Sequence, residues 1–251
     1  MNKRVWLRAL VAAAMLTLGT GWQAIAMGAE KSVVLVHGAF ADGSCWTEVA
    51  RLLQARGIKV TSVQNPLASL KGDIDAVNRV VDQREGQVVL VAHSWGGMVI
   101  SGAGLNPKVS GLVYVAAFSP DVGMTVAGMT APYPTPWLDG VLVDAAGNLV
   151  LSEATFLKYF APDLPETKAR VLAAVQGPTF KGTLEESLTD VAWRSKPTWY
   201  IRARQDQIID PALQILMADR MHARTLSIDS GHTVMISHAS EVSAVILAAL
   251  R

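Results

Sequence analysis

The stretch Val88-Val89-Leu90-Val91-Ala92-His93-Ser94-Trp95-Gly96-Gly97 decides how the chain is read. Five apolar residues in a row suit a short strand buried on both faces of a parallel sheet. The run then meets a serine flanked by small residues, Ala92 two places before it and Gly96 two places after. From Gly96 a helical pattern runs over 96–105, with Pro107 beyond it. A turn this tight between strand and helix tolerates only small side chains at those two positions. It leaves Ser94 exposed at the C-terminal edge of the strand, beside a helix N-terminus whose dipole favours developing negative charge. A nucleotide-binding turn would show G-x-G-x-x-G after the first strand. The first strand is instead followed by His37-Gly38-Ala39-Phe40.

Working outward, apolar runs at 33–36, 60–63, 109–116, 198–203 and 225–228 read as further strands. Helical spacing appears at 45–56, at 73–84 with Asp73 as its cap, at 211–221 and at 240–250. This alternation predicts a mostly parallel sheet of about six strands with helices on both faces. The rhythm breaks between about 120 and 195. Pro132, Pro134, Pro136, Pro162, Pro165 and Pro178 fall there, with short helical pieces at 153–160 and 166–176. That segment reads as an insertion between two strands, a lid over the C-terminal edge of the sheet. Residues 27–251 are expected to form one domain.

Residues 1–26 read as an export signal. Lys3, Arg4 and Arg8 form a basic start, 9–19 a short apolar run, and Ala24-Ile25-Ala26 a cleavage site. The run falls short of the ~20 apolar residues that span a bilayer. Cleavage after Ala26 is therefore expected, with a periplasmic or secreted product and no stable membrane anchor. It would take the net charge from +1 to −2, leaving 19 basic against 21 acidic residues. Neither value argues for a nucleic-acid partner. Cys45 is the single cysteine, so no intrachain disulfide is available and stability must come from a core built from a chain that is 51% hydrophobic. Cys45 itself reads as a small buried hydrophobe.

The strand–serine–helix turn resembles the nucleophile elbow, G-x-S-x-G, with Ala92 replacing the first glycine. In folds with that elbow the chain order is Ser, acid, His. A serine hydroxyl is a weak nucleophile and needs a base beside it. His37, His93, His222, His232 and His238 are the candidates. His232 follows the last strand, in a loop that returns to the edge where the elbow lies. His238 lies further on, near the last helix, and reads as structural or solvated. His93 precedes the serine and should point away from it. For the acid, Asp206 follows strand 198–203 directly. Asp210 precedes Pro211 and is a natural helix cap, and Asp229 is too near His232 along the chain. An oxyanion needs two backbone N–H donors. Trp95 supplies one, and Ala39 in the first-strand loop the other. His37 reads as a brace for that loop.

Taken together, the chain resembles small, cofactor-free α/β hydrolases. It is most similar to the esterase and hydroxynitrile-lyase branch that includes plant methyl-salicylate esterases and bacterial aryl esterases. His37-Gly38-Ala39 with Asp42-Gly43-Ser44 and Trp46 carry the resemblance, as do the Ser94 elbow, 113–118, Asp206 with Ile209 and Pro211, and Gly231-His232 with Met235, Ser237 and His238. It implies the α/β-hydrolase fold and acyl transfer through Ser94, Asp206 and His232, with neither metal nor cofactor. Lyase members carry a Lys after the His and a Thr in the oxyanion loop; here those places hold Thr233 and Gly38. Members that use an Asp nucleophile are excluded by Ser94. The expected substrate is a small ester with an apolar or aromatic group, taken up against Phe40, Tyr133, Trp137 and Phe160. Amidase, lactonase or aminopeptidase activity and a non-catalytic binding role remain alternatives. The oligomeric state is not readable.

Overall fold

The computed structural model describes residues 31–251. The export-signal reading of residues 1–26 lies outside the described residues. Strands β1 (Lys31–Val36), β2 (Lys59–Val63), β3 (Gln87–Ser94) and β4 (Val109–Ala117) alternate with helices α1 (Thr47–Gln54), α2 (Leu70–Asp82) and α3 (Gly96–Ala103). The segment after β4 carries α4 (Val126–Thr130), β5 (Val141–Val143), β6 (Asn148–Leu151), α5 (Glu153–Thr155), α6 (Glu166–Ala174) and β7 (Thr179–Phe180). The alternation then resumes with β8 (Thr198–Ala203), α7 (Pro211–Arg220), β9 (Arg224–Ile228), α8 (Val234–Ser237) and α9 (Ala239–Ala249). Six strands form one sheet in the order β2-β1-β3-β4-β8-β9, with every neighbouring pair parallel.

The side-chain period of two explains why these strands are apolar throughout. Val34, Val36, Leu90, Ala92, Leu112, Tyr114 and Tyr200 pack on one face with α2, α3 and α7. Val33, Leu35, Val89, Val91, Val113, Val115 and Ile201 pack on the other with α1, α8 and α9. Each face therefore has its own core. The buried tyrosines keep their hydroxyls bonded, as burial requires. Tyr200 donates to the carbonyl of Ala117 (2.5 Å), and Tyr114 pairs with Ser101 (2.9 Å). Cys45 lies in the second core, where burial pushes its thiol pKa up.

Two expectations need correction. Asp73 does not cap α2. The helix starts three residues earlier, with Ser69 as its cap and its hydroxyl accepting from Gly72 N–H (3.0 Å). Asp73 is fully buried and employed elsewhere: one oxygen accepts from Leu67 N–H and the other from the indole Nε1 of Trp95, each at 2.8 Å. The segment between β4 and β8 is also more than loops and short helices. It contains a second, antiparallel sheet in the order β5-β6-β7.

Candidate active site

The sharp turn at Ser94 is built by backbone crowding. Ser94 has φ +53°, a left-handed conformation that costs a non-glycine residue of order 1–3 kcal/mol and is held only by what surrounds it. The registry between β3 and β4 shifts there: His93 pairs with Val115 but Ser94 with Ala117, leaving Ala116 as an extra residue, also at positive φ. Phe118 N–H donates to Ser94 O (3.1 Å) and closes the bulge. Gly97 cannot carry a side chain, because a Cβ would lie 1.9 Å from Phe118 O. A Cβ at Gly96 would lie 2.8 Å from Val36 O, and one at Gly38 2.6 Å from Ser94 Cβ. The first-strand loop and the elbow therefore touch backbone to backbone. Ser94 is 5% exposed.

His232 comes to this edge from the loop after β9. Its Nδ1 donates to Asp206 Oδ2 at 2.8 Å, with both side chains buried. The donation leaves Nε2 as the lone-pair nitrogen. Nε2 is buried with no hydrogen-bond partner among the described residues, so Ser94 and His232 are not bonded to each other. A loose serine–histidine contact is common before substrate arrives. Asp206 is held by three further donors. Its Oδ1 accepts from Ile208 N–H (2.8 Å) and Ile209 N–H (3.0 Å), and its Oδ2 from Gln214 Nε2 (2.9 Å). Asp210 caps α7 by accepting from Ala212 N–H (2.7 Å). Asp229 pairs with Arg204 at the surface. His238 bonds Ser237 (2.9 Å) rather than the acid.

His37 and His93 brace the site, whereas His222 is exposed just after α7. His37 Nδ1 donates to Gly38 O (2.8 Å) and its Nε2 accepts from Asn65 N–H (2.9 Å), so both nitrogens are used in holding the loop. Burial lowers its pKa, outweighing the opposing effects of the Gly38 carbonyl and Asp42. His93 does not face the serine. Its Nε2 donates to His232 O (3.0 Å), and the two rings lie 4.4 Å apart. Burial first, and the neighbouring His232 second, hold its pKa well below the ordinary value.

Ser94, Ala39 and Trp95 line a cavity of about 290 Å³. Phe40, Phe118, Val126, Trp137 and Ile208 contribute to its walls. Besides Ser94 the polar side chain in that lining is Thr130, whose hydroxyl is turned back onto Val126 O (3.0 Å). Phe40 and Trp137 meet edge to face at 5.9 Å, and the Trp137 indole donates to Ile208 O (3.1 Å). Tyr133 and Phe160 do not line this cavity. Tyr133 borders a surface groove across α4, with Met129 and Leu213. Phe160 stands edge-on to the His232 ring at 5.1 Å and lies tilted against Phe156 at 4.5 Å, both on a π-helical turn, Phe156–Phe160. Phe40, Phe156 and Phe160 also border a separate void of about 10 Å³, room for about one water.

The sequence reading missed the buried roles of Asp73, whose Trp95 partner lies 22 residues away, and of Gln214. Gln214 Oε1 accepts from Ala203 N–H (3.0 Å), while its Nε2 also reaches Ile209 O (2.9 Å). A polar residue at the buried 3.6-period position of α7 is the signal that would have exposed it.

This geometry has relatives. Methyl jasmonate esterase 1 of Vitis vinifera is 35% identical over 106 residues, 36% of this chain and 41% of that protein. The carbendazim hydrolyzing esterase of Nocardioides sp. (strain SG-4G) is 35% identical over 104 residues, 36% of this chain and 43% of that protein. The chain thus spans about two fifths of the length of these relatives. The crystal structure of polyneuridine aldehyde esterase shares the fold, with a TM-score of 0.76 over 87% of this chain and 98% of that one, at 21% identity. A model of the alpha/beta hydrolase family matches residues 33–245. The chain belongs to the α/β-hydrolase family.

Proposed function

We propose that the protein is a serine hydrolase that cleaves carboxylic esters bearing an apolar group. The observation that carries this reading is the buried His232 Nδ1–Asp206 Oδ2 hydrogen bond at 2.8 Å, on the same sheet edge as a serine held at φ +53°. The bond fixes the tautomer that leaves Nε2 free to take a proton. In this reading Ser94 Oγ attacks the ester carbonyl as its proton passes to His232 Nε2. Asp206 orients the imidazole and stabilises its charged form. The N–H groups of Ala39 and Trp95 bind the oxyanion. The contact of Gly38 with Ser94, and the bond from Phe40 N–H to Thr179 (3.4 Å), support this loop placement. The alcohol then departs with the proton from His232, and water, activated by the same base, frees Ser94.

The substrate class follows from the lining. A cavity of about 290 Å³ with apolar walls suits the larger apolar arm of an ester. The printed names of the relatives, a methyl jasmonate esterase and a carbendazim hydrolyzing esterase, support ester chemistry. The export reading of residues 1–26 belongs to the same proposal. N-terminal sequencing of the mature protein should begin at Met27, and a retained Met1 would contradict it.

Turnover of p-nitrophenyl esters with acyl groups from acetate to aromatic tests the function. Wild type should turn them over and Ser94→Ala should not, while keeping its melting temperature. Equal rates in both would refute the role of Ser94.

A further inference from the structure

The His232 loop is fastened from outside the sheet. Asp163 belongs to the inserted segment, between the π-helical turn and α6. Its Oδ2 accepts from Ser230 Oγ (2.8 Å) and from Gly231 N–H (3.2 Å), and its Oδ1 from Thr233 Oγ1 (3.4 Å). These three partners bracket His232 on both sides along the chain. Ser230 Oγ passes the network on to Ser237 (3.1 Å), which meets His238. Pro162 presses on the same loop: a Cβ at Gly231 would lie 3.0 Å from Pro162 Cγ and 3.2 Å from Asp163 Oδ1. Phe160, three residues before Asp163, stands against the imidazole itself. From the other side, His93 donates to the His232 carbonyl.

Asp163 is open to solvent on its outer side, so core burial does not account for a carboxylate that collects three donors. Partial burial works against its charge. The hydrogen bonds from Ser230 and Gly231 help to outweigh it and hold the carboxyl below the usual carboxylate range. Charge-assisted bonds of this kind are roughly twice as strong as neutral ones.

We propose that Asp163 is a positioning residue that docks the inserted segment onto the His232 loop, so that the imidazole is aimed at Ser94 only while that segment is seated. The inference rests on the hydrolase reading above. With Asp163 released, Phe160 and Pro162 lose their seat and residues 230–233 lose their outer restraint. Asp206 still holds Nδ1, but one hydrogen bond leaves the ring free to tilt. The inserted segment also supplies Val126 and Trp137 to the cavity wall. A substrate that fills the cavity therefore favours the seated segment, and by the same contact the aimed base.

The test compares wild type with Asp163→Ala and Asp163→Asn in full-length protein, by steady-state kinetics and by NMR of the His232 Nδ1–H. Misplacing a catalytic group by about 1 Å costs on the order of a hundredfold. Asp163→Ala should therefore lose about ten- to a hundredfold in kcat, with a smaller rise in KM because substrate favours the seated segment. Asp163→Asn, which keeps one acceptor oxygen, should recover part of that loss. The imidazole N–H signal, assigned by its disappearance in His232→Gln, should shift and exchange faster with solvent in Asp163→Ala. A lower melting temperature with unchanged kcat and an unchanged N–H signal would overturn the proposal and make Asp163 a brace of the fold alone. If wild type turns over no ester, the hydrolase reading falls by itself, and the N–H signal still decides whether Asp163 positions His232.

Discussion

Replacing Gln214 by Leu separates what holds the acid from what the acid does. Gln214 is fully buried and satisfies three groups: Asp206 Oδ2 and Ile209 O through its Nε2, and Ala203 N–H through its Oε1. Leu is close in size, so the cavity term is small. It leaves Ala203 N–H and Ile209 O buried without partners, at about 1–3 kcal/mol each. Burying an apolar side chain in their place returns about 1.5–3 kcal/mol. Losing the bond to the charged Asp206 adds about 1.5–3 kcal/mol. Taken at mid-range, these terms leave a net loss of about 4 kcal/mol. At about 2–4 °C per kcal/mol for a chain of this size, the melting temperature should fall by roughly 8–16 °C. Activity should suffer less. Asp206 keeps both backbone bonds to Oδ1 and its bond to His232, so kcat measured well below the transition should fall by no more than about tenfold. Differential scanning calorimetry and ester turnover on one preparation read both quantities. A melting temperature within about 2 °C of wild type, or kcat lost as completely as in Asp206→Ala, would refute the reasoning.

Gly97→Ala should fail to give folded, active protein, because its Cβ would meet Phe118 O at 1.9 Å and that atom is backbone; soluble protein with a wild-type circular dichroism spectrum would contradict this. Trp137→Ala removes a cavity wall and the edge contact with Phe40. In an acyl-length series the preferred ester should lengthen, and KM for the shortest should rise at least about threefold. An unchanged series would place the apolar arm elsewhere. His93 has a pKa held well below its ordinary value by burial and by His232. Below about pH 6.5 the unfolded chain takes up a proton that the folded chain refuses, so stability falls as pH falls. His93→Gln removes that uptake. Between pH 6 and 5 its urea-unfolding free energy should fall less steeply than wild type by up to about 1.4 kcal/mol per pH unit. Parallel slopes would mean that His93 is protonated in the folded protein.

Much of the sheet could be read directly, because both of its faces are covered and its strands are therefore continuously apolar. The Ser94 turn was legible for a steric reason: the close approach of Gly96 to Val36 O and of Gly97 to Phe118 O leaves no room for a side chain. His232 and Asp206 followed from the few histidines present and from where each strand ends. Residues whose meaning depends on distant partners were not legible. Asp73 has the position and chemistry of a helix cap, yet it is buried under Trp95 while Ser69 caps the helix. Gln214 looks like an ordinary helical residue until β8 and Asp206 are packed against it. The β5-β6-β7 sheet escaped because its strands are only two to four residues long and lie among prolines and turns. Aromatic composition suggested pocket residues but not their sides. Phe40 and Trp137 face the Ser94 cavity, whereas Phe160 stands on His232 and Tyr133 borders the outer groove.

The central claim is that Ser94 is a nucleophile activated by His232. Reaction with a fluorophosphonate probe, followed by mass spectrometry of the Ser94 peptide, tests it most directly, because it needs no knowledge of the natural substrate. The account predicts one adduct per chain on Ser94 in wild type, and labelling slowed at least about a hundredfold in folded His232→Ala. An unlabelled Ser94, or equal labelling rates with and without His232, would contradict it.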